Sequence, residues 1–316
     1  MKICLVGEGA FANKHIDAIA RIEDVEVSVI CGGVAETTEA VANARGIPFY
    51  TTDLAEALNQ PGVDAVILAT PTGLHATQAI QVMRSGKHVL IEIPMADNLA
   101  DAQKLVEVQQ ETGLVAMVDH VRRFNPSHQW IHNKIKSGEL QLQQLDVQTY
   151  FFRRENINAL GQPRSWTDHL LWHHACHTVD LFQYQTGGPA TQAFAMQGPS
   201  HPDMGIAMDM CIGMKAATGA ICTLSLSFNN NGPLGTYFRY ICDNGTYIAR
   251  YDDLFDSNDN PIDLSQIDVA MDGVELADRE FFAAIAQDRE PNSSVQQCLE
   301  AMKTLDRLEQ SMISQA

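Results

Sequence analysis

Residues 2–12 read Lys2-Ile3-Cys4-Leu5-Val6-Gly7-Glu8-Gly9-Ala10-Phe11-Ala12, and this stretch decides the fold. A short apolar β run passes directly into a GxGxxA turn, which opens a helix containing His15, Ala18 and Ile19. Gly7 permits the tight turn, Gly9 lets a pyrophosphate approach the backbone, and Ala12 replaces the third glycine where helix and strand pack closely. The helix start, with Ala10 and Phe11, presents amides to an anion. A bare GxGxxA is weak evidence, but directly after a strand and inside a βαβ pattern it points to dinucleotide binding.

Working outward, the first 120 residues alternate β-like runs with helical stretches, the pattern of parallel strands joined by crossover helices. Strands are expected at Lys2 to Val6, Val25 to Cys31, Pro48 to Tyr50, Ala65 to Ala69, His88 to Glu92 and Leu114 to Val118, in a doubly wound parallel sheet. A helix is expected over Asp97 to Thr112, where Leu99, Ala102, Leu105, Val106 and Val108 include the i, i+3, i+4 spacing of a buried stripe.

After Arg123 the rhythm changes. A helix from Pro126 to Ser137 leads to longer β runs with short turns, interrupted by a helix over Thr167 to Gln185 and followed by helices at Asp278 to Gln287 and Ser294 to Ser314. The reading is residues 1–120 as a dinucleotide-binding domain and 121–316 as an α+β domain on an open, mainly antiparallel sheet for substrate binding and oligomerisation.

Lys plus Arg total 21 against 39 Asp plus Glu, a net charge of −18, so the global field disfavours nucleic acid and anionic membrane surfaces as partners. No apolar run reaches the length of a membrane span, and seven scattered cysteines without a CxxC pair suit reduced thiols in a cytoplasm. The second strand ends in Cys31-Gly32-Gly33-Val34-Ala35-Glu36-Thr37-Thr38, with neither the acidic side chain that holds the NAD ribose nor an arginine for the NADP phosphate. Lack of the carboxylate removes a repulsion against a 2′-phosphate and Thr37 and Thr38 offer hydroxyls, whereas Glu36 argues for NAD.

Four of the eleven histidines fall within Trp166-Thr167-Asp168-His169-Leu170-Leu171-Trp172-His173-His174-Ala175-Cys176-His177. On an α-helix the i, i+4 spacing stacks His169, His173 and His177 on one face, while His174 points elsewhere. Such a row suits proton transfer or, because HxxxH is ligand spacing, zinc. No glutamate stands in the HExxH position and a dinucleotide already supplies an electrophile, which favours acid–base work without a metal. Arg122, Arg123, Arg153, Arg154 and Arg164 lie within 43 residues, a concentration of scarce cations that suits bidentate capture of carboxylates.

GEGAFANKH at the start, ATPTGLH at 69–75, GKHVLIEIP at 86–94, VRRFNP at 121–126, RSWTD at 164–168, CHTVDLF at 176–182 and DREFFAAI near the end together resemble the glucose-fructose oxidoreductase, inositol dehydrogenase and MocA family. The resemblance runs the length of the chain. It implies an N-terminal Rossmann domain, a C-terminal open sheet that commonly forms a homodimer or homotetramer interface, and NAD(P)-dependent oxidation of sugars or inositols. It adds Gly32, Gly33, Thr70, Pro71, Thr72, His75, Glu92, Pro94 and Trp166 to the cofactor contacts.

Two departures stand out. The family's lysine in Glu-Lys-Pro falls on Ile93, and its catalytic Asp and His fall on His173 and His177. EIPMAD, RRFNPSHQWIHNKI and the long segment from DVQTYFFRR to DLFQYQ resemble one branch, whose members oxidise the cyclic hemiacetal of a protocatechuate 4,5-cleavage semialdehyde to a pyrone dicarboxylate with NADP. That branch implies a small dicarboxylate substrate and NADP, with NAD as the second choice. It makes His177 the general base with His173 as its orienting or relay partner, and Arg122, Arg123, Arg153, Arg154, Arg164 and His169 the substrate contacts. The competing expectations are a sugar or inositol dehydrogenase and a non-catalytic NAD(P)-binding regulator.

Overall fold

The computed structural model describes residues 1–157, 161, 163–164, 166–265 and 273–313. Ser165 of the RSWTD motif and Ser314, the expected end of the last helix, lie outside the described residues.

In the first unit six parallel strands, β1 (Lys2–Val6), β2 (Glu26–Cys31), β3 (Phe49–Thr51), β4 (Val63–Leu68), β5 (His88–Ile91) and β6 (Ala116–Val118), lie in the order β3-β2-β1-β4-β5-β6. The crossovers carry α1 (Ala10–Ile19), α2 (Ala35–Arg45), α3 (Leu54–Leu58), α4 (His75–Arg84) and α5 (Leu99–Thr112). Ile3, Leu5, Ile30, Ile67 and Leu90 are fully buried, as strands covered on both faces require. Each such side chain contributes about 1.5–3 kcal/mol of burial. Helix ends follow local chemistry: Asn98 accepts from the Asp101 amide at 2.9 Å to start α5, and Gly113 in the left-handed region stops it. The strand order reverses between β1 and β4, so ligands are expected beyond the carboxyl end of β1, where Gly7 lies.

The second unit is built on seven strands in the order β13-β12-β11-β7-β10-β9-β8. The chain enters through a 3₁₀ turn (Val121–Arg123) and α6 (Pro126–Ser137), then runs β7 (Leu142–Tyr150), a π-helical stretch (Leu170–Ala175) and α7 (Cys176–Thr186). It continues through β8 (Ala190–Gln197), β9 (Asp209–Ala216), β10 (Ile221–Ser227), β11 (Gly235–Cys242), β12 (Gly245–Arg250) and β13 (Asp253–Phe255). Only the β7–β10 pairing among these strands is parallel, so the sheet is mixed and mainly antiparallel. Its inner face buries Leu145, Val147, Met210, Ile212, Cys222, Leu224, Phe238 and Tyr240, and the alternate residues face outward.

The chain ends in α8 (Gly273–Ala286) and α9 (Val295–Ile313). One expectation is corrected here. Residues 274–299 belong with the first unit, whereas the sequence reading gave all of 121–316 to the second. The reason is hydrogen bonding: the Val118 amide donates to the Ser293 carbonyl at 2.9 Å, the Ser293 hydroxyl donates to the Val118 carbonyl at 2.7 Å, and Met117 bridges Ser294. The returning chain satisfies groups of β6 that the outermost strand would otherwise leave unpaired. Among the described residues no helix is long and apolar enough to cross a membrane.

Candidate active site

The cofactor side of the chemistry is built in the first unit. Gly7 has φ +122° and a Cβ there would meet the Ala69 carbonyl oxygen at 2.4 Å, so only glycine fits. A Cβ on Gly9 would meet nothing within 4 Å, so the space over the turn is open. The first intrahelical bond of α1 runs from the Asn13 amide to the Gly9 carbonyl at 3.2 Å, which leaves the amides of Ala10, Phe11 and Ala12 at the helix start. The open space and the donor set suit a pyrophosphate. Ala12 is fully buried, whereas Phe11 is 52% exposed with the Lys14 ammonium over its ring. Gly32 and Gly33 follow β2, and the Gly33 amide donates to the Glu8 carboxylate at 3.0 Å.

At the β4 end, Pro71 precedes a 3₁₀ turn starting at buried Thr72, and the Thr70 hydroxyl donates to Gln78 at 2.7 Å. The His75 ring nitrogens each lie 2.8 Å from a carbonyl oxygen, of Pro94 and of Thr70, tying the β4 and β5 loops together. Glu92, expected to face the cofactor, is instead directed at His15: its Oε1 lies 3.3 Å from His15 Nε2. His15 Nδ1 donates to Asp278 at 2.9 Å and Nε2 lies 3.8 Å from Asp119. Burial works against a charged imidazole, but Asp278, Glu92 and Asp119 together hold the His15 pKa well above its ordinary value. The sequence reading missed this cluster, because Asp278 is 263 residues from His15.

The histidine segment departs from a uniform α-helix. His169 precedes the helix in extended conformation, its ring accepting from the Leu171 amide at 3.2 Å, and Leu170–Ala175 is π-helical before α7 begins. His169 therefore leaves the predicted three-histidine face, because a side chain that caps a helix cannot also be one of its turns. His173 Nδ1 accepts from the His169 amide at 2.9 Å. Burial pulls the His173 pKa down to about 4, and with Nδ1 accepting, the proton of the neutral ring sits on Nε2. Trp166, expected at the cofactor, lies in this second unit with its ring centroid 5.3 Å from that of His173. His177 follows at the start of α7, part-buried.

The five arginines separate into different roles. Asp168 is flanked by Arg153, which donates from both terminal nitrogens, by Arg164 Nη1 at 2.9 Å and by His174 Nε2 at 2.9 Å. Burial alone would raise its pKa, but His174 and Arg153 outweigh that and hold the carboxyl well below its usual range. Two guanidiniums against one carboxylate leave surplus positive charge around Asp168. Asp168 and His174 were not among the candidates; a lone acid four residues from Arg164 and six from His174 was the available signal. Arg154 stays exposed, stacked over Phe152 and bonded to Asn229 at 3.1 Å.

Arg123 is corrected, and Arg122 stands apart from Asp168. Arg123 makes a bidentate pair with Asp180 at 2.8 and 2.6 Å, with 5% and 1% of the two side chains exposed. It is a structural clamp between the 3₁₀ turn and α7. Arg122 bonds Asn125 at 3.2 Å and lies between the rings of Phe238 and Tyr251, shielded enough that burial lowers its pKa. Neither shares the partners of Asp168. A separate cavity of about 560 Å³ is lined by Pro126, Asp252, Asp253 and residues 261–265; it carries Asp263 and no cation, so it is unsuited to a dicarboxylate.

Comparison with known proteins follows the same division. Residues 1–120 match the oxidoreductase family with an NAD-binding Rossmann fold, and residues 126–268 match the C-terminal domain of bacterial oxidoreductases. The 4-carboxy-2-hydroxymuconate-6-semialdehyde dehydrogenase of Sphingobium sp. is 62% identical over 309 residues, covering 98% of each chain. The scyllo-inositol 2-dehydrogenase (NAD(+)) of Bacillus subtilis is 35% identical over 102 residues, 32% of this chain and 30% of its own. Among solved structures, an oxidoreductase from Agrobacterium radiobacter in complex with NAD+, L-tartaric acid and magnesium superposes with a TM-score of 0.86 at 18% identity, covering 100% of this chain and 97% of its own. A levoglucosan dehydrogenase in complex with NADH and levoglucosan does so at 0.87 and 18% identity, covering 100% and 98%. With motif, fold and near-complete sequence similarity in agreement, the chain belongs to the glucose-fructose oxidoreductase, inositol dehydrogenase and MocA family.

Proposed function

We propose that this protein is an NAD(P)-dependent dehydrogenase that oxidises the cyclic hemiacetal of 4-carboxy-2-hydroxymuconate-6-semialdehyde to 2-pyrone-4,6-dicarboxylate. The observation that carries the substrate is 62% identity to a dehydrogenase of that semialdehyde across 98% of both chains. The local chemistry supports it. A hemiacetal hydroxyl is more acidic than a sugar alcohol, so an imidazole removes its proton without the lysine that Ile93 replaces. A neutral sugar would leave the surplus charge of Arg153 and Arg164 without a partner, whereas a carboxylate satisfies it.

The Gly7–Ala12 turn and the first amides of α1 would hold the dinucleotide, whose chemistry there would be acceptance of hydride from the hemiacetal carbon. His177 takes the hydroxyl proton. His173 holds its proton on Nε2 and so acts as a hydrogen-bond donor that orients the substrate oxygen rather than as a second base. Arg153 and Arg164, held in place by Asp168, take a ring carboxylate, and Arg154 is the exposed cation available to the second. A homodimer or homotetramer fits the outer face of the second sheet, where Phe194, Met196 and Ile221 are exposed.

The test is a spectrophotometric assay of NAD(P)H formation with the protocatechuate 4,5-cleavage product beside a panel of sugars and inositols. Turnover of the ring-cleavage product with at least tenfold higher kcat/KM than any sugar is expected. A sugar or inositol as the better substrate would overturn the reading, and so would cofactor binding without turnover of any of them.

A further inference from the structure

The end of β2 lacks an acidic residue of its own, yet a carboxylate sits there. Glu8, the variable residue of the glycine turn, reaches across from β1 and accepts from the Gly33 amide at 3.0 Å to each carboxylate oxygen, from the Val34 amide at 3.2 Å and from the Thr37 hydroxyl at 3.5 Å. The fit is close: a Cβ on Gly32 would meet Thr38 Oγ1 at 1.9 Å and Glu8 Oε2 at 2.8 Å. Two successive amides and a hydroxyl after a strand end form the kind of nest that receives a phosphate. Here it already holds an anion.

The hydroxyls that seemed free to bind a phosphate are committed as well. Thr38 Oγ1 donates to the Val34 carbonyl at 2.6 Å, and the single Thr37 hydroxyl proton is shared between that oxygen at 3.1 Å and Glu8 Oε1 at 3.5 Å. No lysine or arginine contacts the Glu8 carboxylate among the described residues, and residues 31–38 contain none. The local field is negative: burial first, and then the carboxylates of Asp53, Glu8 and Glu56, together raise the Cys31 thiol to about 11.

We infer that Glu8 is the cofactor-specificity residue of this protein and selects NAD over NADP, an inference that rests on the dehydrogenase reading above. Its carboxylate occupies the place of the strand-end acid that accepts a hydrogen bond from an adenosine ribose hydroxyl. A 2′-phosphate meets two obstacles: repulsion by a carboxylate with no compensating cation, and the loss of the Glu8 contacts to Gly33, Val34 and Thr37 if the side chain is displaced. The expectation of NADP rested on the resemblance to one branch and on a missing carboxylate at the end of β2, and this inference runs against it because the carboxylate arrives from the preceding turn.

The experiment is fluorescence titration of the full-length protein with NADH and with NADPH, without substrate, for the wild type, Glu8→Gln and Glu8→Ala. The wild type is expected to bind NADH about tenfold or more tightly than NADPH. Both variants are expected to bring the two within about threefold of each other, chiefly by a gain in NADPH affinity. Glu8→Gln keeps the side chain's length and loses only its charge, so it carries the comparison if Glu8→Ala fails to fold. Equal or tighter NADPH binding by the wild type overturns the inference, as does a ratio unchanged in a variant whose circular dichroism is native. Because the titration needs no substrate, either result leaves the hemiacetal chemistry standing, and absent turnover of the hemiacetal leaves the cofactor ratio standing.

Discussion

At the scale of single residues, His177 and the arginines call for different physics. Loss of a general base removes an interaction made in the transition state, so His177→Asn is expected to lower kcat by roughly 10²–10⁴ with cofactor affinity unchanged, measured by steady-state kinetics and NADH titration. Arg164→Ala removes a carboxylate contact made in ground and transition states alike, so KM for the dicarboxylate rises while kcat stays within a few-fold. Arg123→Ala behaves differently. It strands buried Asp180 without its bidentate partner, and urea denaturation is expected to report a loss of about 3–5 kcal/mol. His173 has a pKa near 4 in the folded protein, below its ordinary value of 6.5, so the unfolded chain binds the extra proton between those values. Its contribution to stability is therefore full above pH 6.5 and lost as pH falls toward 4, and Tm is expected to fall less steeply across that window in His173→Gln. His15 has the opposite sign, since its raised pKa places any loss on the alkaline side.

At the scale of elements, the glycine turn and the π-helical stretch each have one task. Gly7 and Gly9 stand two residues apart but fail in different ways when substituted. Gly7→Ala drives a Cβ into the Ala69 carbonyl at positive φ, so it is expected to lower Tm. Gly9→Val places its side chain in open space, so the fold survives while NADH affinity falls at least tenfold, as thermal melts and titration will show. At the start of the π-helical stretch the His169 amide lies ahead of the helical ladder, and it donates to His173 Nδ1 at 2.9 Å.

At the scale of the whole molecule, the two units have different surfaces and therefore different expectations. The parallel sheet is covered on both faces, whereas the outer face of the second sheet exposes Phe194, Met196 and Ile221, together with Cys211. Phe194 lies over Gly213, whose missing side chain leaves room for the ring. Sedimentation velocity is expected to show a dimer or tetramer, and Phe194→Asp to shift it toward monomer with little change in Tm. A wild-type monomer at micromolar concentration would remove the oligomer expectation. The net charge of −18 makes the concentration of arginine around Asp168 more informative, because cations are scarce elsewhere in the chain.

What the sequence by itself determined is what covalent adjacency and periodicity control. Strand β1, the Gly7–Ala12 turn and the helix after it are contiguous, and glycine chemistry leaves them one reading. The change from crossover units to an antiparallel rhythm after Arg123 was legible for the same reason. Only the tertiary structure decided which groups meet across long separations. Asp278 returns to His15, Asp180 takes Arg123 out of the substrate set, and residues 274–299 complete the first unit rather than the second. The Asp168 cluster depended on Arg153, 15 residues away at the end of a β run, and on a helix that is not α-helical throughout. Glu8 is the plainest case: in sequence it is the free position of a glycine motif, and only the parallel pairing of β1 with β2 carries its carboxylate to the amides of Gly33 and Val34. A single chain encodes such a contact through its topology, and local patterns hold no record of it.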